Sequence, residues 1–328
     1  MARFTTLSDA ELATIAARFD LGGVEAHTPL DAGTINTNVA VTTARGRYLV
    51  RINEGKVEAD VAWEAALVVD LAAGGLPTPV PVAADDGLRY AALGPRWISV
   101  FPWVEGVHRG AGEVAVADAH ALGRALAQLH ALGDALPPTR LRADRYDDAE
   151  LVRRRARIAG AGRPELAAIA DVLEREAEAL RGLAEVRAGA RRGLIHGDLF
   201  RDNVLWQVGA RARLAALLDF EQASVGSHAY DLAVCMNDWC WREGADAGPR
   251  ADLARALVGG YQTVRPLADA DRAALAVELR AAAARFTTTR ITDVYLGGID
   301  NPDKDFRAYA DRLAGWQAGL LGPVLATV

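Results

Sequence analysis

Cysteine and lysine occur only twice each in this 328-residue chain. Cys235 and Cys240 stand five apart in a segment that reads as helical, which turns them to different faces. A disulfide is therefore not expected, and both read as buried apolar fillers. No second histidine or cysteine lies at metal-binding spacing from His130 or His196, so no zinc site is indicated. A basic excess is missing too: the net charge is -6, which argues against a nucleic-acid partner. No run of eighteen apolar residues occurs, and the N-terminal stretch lacks the apolar centre of a secretion signal, so a cytoplasmic protein is expected. Repeats and low-complexity tracts are absent. The scarcity of lysine beside abundant arginine reads as base composition rather than function.

What is present is most informative between Leu194 and Asp219. An apolar run delivers His196 and Asp198 into a turn, Asn203 follows five residues after Asp198, and Asp219 ends a second apolar run. A hydroxyl attacking the γ-phosphate of ATP needs a carboxylate to orient it and accept its proton, and the triphosphate needs Mg²⁺ held by hard oxygen ligands. Asp198 suits the first task, Asn203 and Asp219 the second. An isolated His-x-Asp turn is common, and a purely structural reading has Asp198 capping the turn and His196 satisfied in the core. The ordered set, flanked by strand-like runs, favours phosphoryl transfer.

This pattern resembles the catalytic loop of the protein-kinase superfamily, with Asp219-Phe220-Glu221 where that superfamily places its Asp-Phe-Gly. Gly197 in place of arginine and Glu221 in place of glycine are departures that resemble the small-molecule branch, the aminoglycoside phosphotransferase and choline kinase group. The resemblance implies an α+β, protein-kinase-like bilobal fold: a small β-sheet lobe over residues 1–103, hinge included, and a larger, mainly helical lobe over 104–328. His196, Asp198 and Asn203 are then the catalytic-loop residues.

Local patterns agree with that division. Ser8 and Glu11 form a capping-box signal for a first helix. Segments 36–43 and 46–52 read as a hairpin, and Val61, Ala65, Val68 and Ala72 recur at helical spacing up to Gly74-Gly75. Strands are expected near 88–93 and 97–102. From about residue 104 the pattern is helical, with a stripe of Ala119, Leu122, Leu126 and Leu129, then a polar, arginine-rich stretch over 139–163.

Residues 31–38 fall where this fold places its phosphate-covering loop, which makes Gly33, Asn36 and Asn38 candidate nucleotide contacts through backbone N–H groups or side chains. Arg51 occupies the strand position where protein kinases carry a lysine, and Glu64 on the following helix is its expected partner. An arginine binds phosphate with fork geometry; the bland alternative is an exposed ion pair of little energetic weight. Phe101 and Trp103 lie in the connecting segment, where they either pack the hinge or touch adenine.

The runs at 229–241, 285–296 and 301–313 resemble the homoserine kinase type of that fold, which implies that L-homoserine is the hydroxyl substrate, feeding threonine synthesis. A zwitterionic acceptor needs a cation for its carboxylate and an anion for its ammonium. Arg290 is the candidate for the first and Asn237, Asp238 and Asp293 for the second, with Asp231 bracing the catalytic loop. The alternative for Arg290 and Asp293 is a surface pair at i, i+3. Aminoglycoside, choline or other amino-alcohol, and methylthioribose kinases of the same fold remain open. A nucleotide-binding regulator without turnover is disfavoured, because no catalytic group is missing. Oligomeric state is not legible.

Overall fold

The computed structural model describes residues 5–30, 36–244, 246–320 and 322. Contacts divide the chain into two units. One is Ala2–Gly106 together with the short segment Ala215–Glu221; the other is Val107–Leu214 with Gln222–Val328. Asp219 thus groups with the N-terminal unit although it lies far along the chain.

The N-terminal unit opens on α1 (Asp9–Arg18), whose capping box is formed as the sequence predicts: Glu11 N donates to Ser8 Oγ at 3.3 Å and Ser8 N to Glu11 Oε2 at 2.9 Å. Strands β1 (Val24–Leu30), β2 (Thr37–Thr43), β3 (Gly46–Asn53), β4 (Ala91–Leu93) and β5 (Arg96–Pro102) form an antiparallel sheet in the order β1-β2-β3-β5-β4. The expected hairpin is β2–β3, closing at the pair Thr43 and Gly46. Helix α2 (Glu58–Ala73) follows β3 and buries Val61, Glu64, Ala65 and Val68. Leu12, Ile15, Phe19, Val39, Val41, Val50, Ile52, Ile98 and Val100 make one apolar core between α1 and the sheet. β1 had no signal in the sequence, because it is an almost wholly exposed edge strand with Pro29 in it, so no apolar alternation marks it.

The larger unit contains α3 (Val116–Gly133), α4 (Asp148–Ala159), α5 (Pro164–Arg181), α6 (Ala184–Ala188), β6 (Arg192–Ile195), β7 (Val204–Trp206), β8 (Leu214–Leu217, which runs on into the other unit), β9 (Ser224–Ser227), α7 (His228–Trp239), α8 (Ala251–Gln262), α9 (Asp269–Thr289) and α10 (Arg307–Gln317). The arginine-rich stretch holds α4, which buries only Ile158 and so carries a weak apolar signal. Helices α3 and α8 meet backbone to backbone: a Cβ on Gly260 would sit 1.9 Å from His120 O, so only glycine permits this approach. α9 is buried along most of its length and continues into a π-helical turn over Arg290–Tyr295, a departure often found at functional sites. Cys235 and Cys240 are free and buried, as expected. Among the described residues no helix is long and apolar enough to cross a membrane.

Candidate active site

The catalytic turn grows from a two-stranded ribbon in which β6 pairs antiparallel with β9, Ile195 facing Ser224. The chain then bends at Gly197, whose φ of +76° favours glycine and where a Cβ would lie 3.1 Å from Gln222 O. Here the glycine that replaces the protein-kinase arginine is required by the backbone. Asp231, on α7, clamps this bend: Oδ2 accepts from His196 N and Oδ1 from Gly197 N, both at 2.8 Å. His196 is fully buried.

Asp198 is half-buried, and Gln222 Nε2 donates to its Oδ2 at 3.1 Å. Its carbonyl oxygen accepts from Phe200 N at 2.8 Å and from Asn203 Nδ2 at 2.7 Å. The second bond fixes the amide of Asn203, on a 3₁₀ turn, so that Oδ1 is left as a hard oxygen donor.

In the N-terminal unit a second group of charges assembles. Arg51 Nη1 lies 3.3 Å from Glu64 Oε1 and 3.5 Å from Asp219 Oδ1, with the guanidinium 5.3 Å from the Phe101 ring. The side chains of Arg51 and Glu64 are each about 10 % exposed, which removes the reading of a solvated pair. Lys56 Nζ reaches the other oxygen of Glu64 at 3.3 Å and Glu221 Oε2 at 2.8 Å, which also accepts from Asn36 Nδ2 at 2.8 Å. Three carboxylates therefore surround two cations. Burial, the largest single influence, would raise the Glu221 carboxyl, but Lys56, Arg51 and Asn36 together hold the group below its ordinary range. The Asp219 carboxyl is pushed upward by burial and by Glu221 against the pull of Arg51, and water screens part of that effect because 29 % of its side chain stays exposed. Asp219 also has a left-handed backbone, φ +62°, uncommon for a residue with a side chain. Its Oδ1 accepts no hydrogen bond among the described residues. An anionic oxygen in surplus negative charge fits a divalent cation, and a Mg²⁺ ion bound mainly through phosphates needs few protein ligands.

Of the other residues singled out from sequence, Gly33 lies outside the described residues. Asn36 is buried against Glu221, and Asn38 sits in β2 opposite Arg51. Trp103 stacks under Arg47, the guanidinium 3.7 Å from the ring centre, and its N–H donates to Arg47 O. Phe101, with Arg51, Glu64, Val68 and Pro81, lines a small pocket.

The ammonium group of candidates needs correction. Asn237 is wholly buried: Nδ2 donates to Ala233 O and Leu279 O, and Oδ1 accepts from Trp316 Nε1. Asp238 accepts from Arg201 N at 2.8 Å and from Arg201 Nε at 3.1 Å. Both are spent inside the fold. Asp293 bonds Arg154 and Thr292 rather than Arg290. Arg290 Nη1 donates to Asp305 O at 3.1 Å, and its guanidinium lies 4.3 Å from the Tyr309 ring centre.

Sequence reasoning passed over Lys56, Glu221 and Gln222 as members of these clusters. Lys56 had one available signal: it is one of only two lysines in an arginine-rich chain.

A mixed unit of five antiparallel strands and two helices, followed by a helical unit carrying the His-x-Asp turn, defines the kinase-like phosphotransferases. The chain belongs to the phosphotransferase enzyme family, whose model matches residues 26–267. It is 35 % identical over 306 residues to a homoserine kinase of Acidiphilium cryptum, covering 92 % of this chain and 91 % of that protein. It is 36 % identical over 326 residues to a homoserine kinase of Methylobacterium radiotolerans, 95 % of each. Solved structures share the fold at lower identity. An amicoumacin kinase in complex with AMP-PNP, Ca²⁺ and its antibiotic superposes with a TM-score of 0.73 at 16 % identity, over 96 % of this chain and 93 % of that one. A microcompartment-associated aminopropanol kinase gives 0.71 at 20 %, over 97 % and 99 %.

Proposed function

We propose that the protein is an ATP- and Mg²⁺-dependent kinase that phosphorylates the side-chain hydroxyl of L-homoserine in the cytoplasm, supplying threonine synthesis. The observation that carries the reaction type is Asp198, a carboxylate oriented by Gln222 on the same turn as the fixed amide of Asn203. The acceptor identity is supported by relatives named homoserine kinase that align over nine-tenths of the chain.

In this reading the acceptor hydroxyl donates its hydrogen bond to Asp198. As its oxygen bonds to the γ-phosphorus, the bond from that phosphorus to the β,γ-bridging oxygen breaks, ADP departs with the electron pair, and the hydroxyl proton passes to Asp198. Arg51 and Lys56, both anchored on Glu64, supply positive charge for the phosphates. Asn203 Oδ1 and the Asp219 carboxylate would hold Mg²⁺, which offsets phosphate charge when bound. Asp231 keeps the turn in shape by fixing two successive N–H groups.

Coupled ADP release with purified protein against L-homoserine, methylthioribose, choline and kanamycin tests the reading. Turnover with homoserine well above the other three is expected. Preference for any other acceptor would reassign the enzyme within its fold, and no ADP release with any acceptor would reject catalysis.

A further inference from the structure

Arg285, on α9, is 6 % exposed and has no carboxylate within ion-pair distance among the described residues. Its polar contact there is from Nη2 to Gln222 Oε1. The guanidinium also lies over the rings of Tyr146 at 4.0 Å and Phe286 at 3.9 Å. Cation–π contacts offset only part of the cost of burying a charge. Asp198 and Asp144 act on it electrostatically without forming an ion pair.

The same guanidinium lines a small pocket together with Asp144, Tyr146, Gln222, Ser224 and Tyr230. Ser224 is 2 % exposed and its Oγ has no hydrogen-bond partner among the described residues, so a second buried polar group of this pocket awaits a ligand. Gln222 ties the pocket to the chemistry. Its Nε2 donates to Asp198 Oδ2 while its Oε1 accepts from Arg285, and exchanging the two ends of the amide would set donor against donor and acceptor against acceptor. A cation, a carboxylate and two phenols around a space beside the hydroxyl-orienting group describe a site for a small zwitterion.

We propose that this pocket holds the amino-acid end of the acceptor, with Arg285 binding its carboxylate, Asp144 compensating its ammonium, and Gln222 fixing the distance to Asp198. The assignment rests on the homoserine reading and replaces Arg290 as the carboxylate's partner. Arg290 does not line the pocket, and its Nη1 is engaged by Asp305 O. Selectivity follows, because an acceptor without a carboxylate leaves Arg285 buried without an ion pair.

Steady-state kinetics of wild type, R285A, R285K and R290A with L-homoserine and with its decarboxylated analogue 3-aminopropanol test this, with thermal melts confirming folding. R285A should lose about tenfold to a hundredfold in kcat/KM for homoserine, the range of a charged hydrogen bond, mainly through KM. The loss for 3-aminopropanol, which has no carboxylate to bind and feels only the lost Gln222 contact, should be clearly smaller. R285K keeps the charge without the fork and should fall between; it also serves if R285A does not fold. R290A should not change the ratio between the two acceptors. Equal losses for both acceptors in the Arg285 variants, or a selective loss in R290A instead, would overturn the assignment while leaving the homoserine reading intact. A wild type that ignores homoserine would overturn that reading and this proposal together.

Discussion

Asp231 and His130 form a wholly buried pair, Oδ2 to Nε2, at 3.0 Å. The same carboxylate caps the N–H groups of His196 and Gly197, and His130 Nδ1 lies 2.8 Å from the Tyr261 hydroxyl. Helices α3, α7 and α8 thus converge on the bend that presents Asp198. Asp231→Ala would strand two buried N–H groups and the imidazole. A loss of about 1–3 kcal/mol is expected for each buried donor left without a partner, read as a lowered urea midpoint. Burial, the largest single influence, would raise the Asp231 carboxyl, but the hydrogen bonds and fields of His130 and His196 together hold it below its ordinary range. Its contribution is therefore complete above about pH 4, the unfolded value, and is lost as the pH falls toward the depressed folded one. Wild-type stability in Asp231→Ala would dismiss the clamp.

His228 should dominate at milder acidity. Burial first, and His130 stacked 4.0 Å away second, push its pKa down to about 2. Below about pH 6.5 the unfolded chain takes up a proton that the folded one refuses, so stability falls as pH falls, by up to about 1.4 kcal/mol per unit. His228→Phe should flatten the stability profile between pH 6.5 and 4. An unchanged slope in that variant would assign the acid sensitivity to other groups.

Asp198→Asn keeps volume and loses the proton acceptor, so turnover should drop by about two to four orders of magnitude with ATP binding and melting temperature nearly unchanged. Asp219→Ala should differ in kind. It removes a hard anionic ligand, so the Mg²⁺ concentration giving half-maximal rate should rise. Full activity in the first variant, or an unshifted Mg²⁺ dependence in the second, would move those roles elsewhere.

The elements legible in the sequence were those whose signal is local. The capping box at Ser8, the hairpin of β2 and β3, and the spacing of Asp198, Asn203 and Asp219 each lie within a short window. β1 and α4 bury too little to leave a period. Gln222 and Arg285 are separated by more than sixty positions, and nothing near Arg285 in its alanine-rich helix marks it. Asn237 and Asp238 misled for a physical reason. Polar residues on a helix near the catalytic segment look available for a ligand, but Trp316 and Arg201 claim them inside the fold.

Glu64 carries the remaining prediction, because its two oxygens serve two different cations, Arg51 and Lys56, each at 3.3 Å. Burial would lower the pKa of both bases, yet the surrounding carboxylates raise them, so both stay charged. Removing Glu64 leaves each cation with one carboxylate, Arg51 with Asp219 and Lys56 with Glu221, whereas removing Arg51 leaves three carboxylates around Lys56 alone. Both variants should raise the KM for ATP, and Arg51→Ala should lower the melting temperature more than Glu64→Ala does, because it leaves the surplus of buried negative charge larger. Because the residues share one interaction, the double variant should be less damaged than the product of the singles, with a coupling of about 0.5–3 kcal/mol. Strictly multiplicative effects on KM for ATP would show that Arg51 and Glu64 act on the nucleotide independently, and would leave Lys56 as the cation that Glu64 positions.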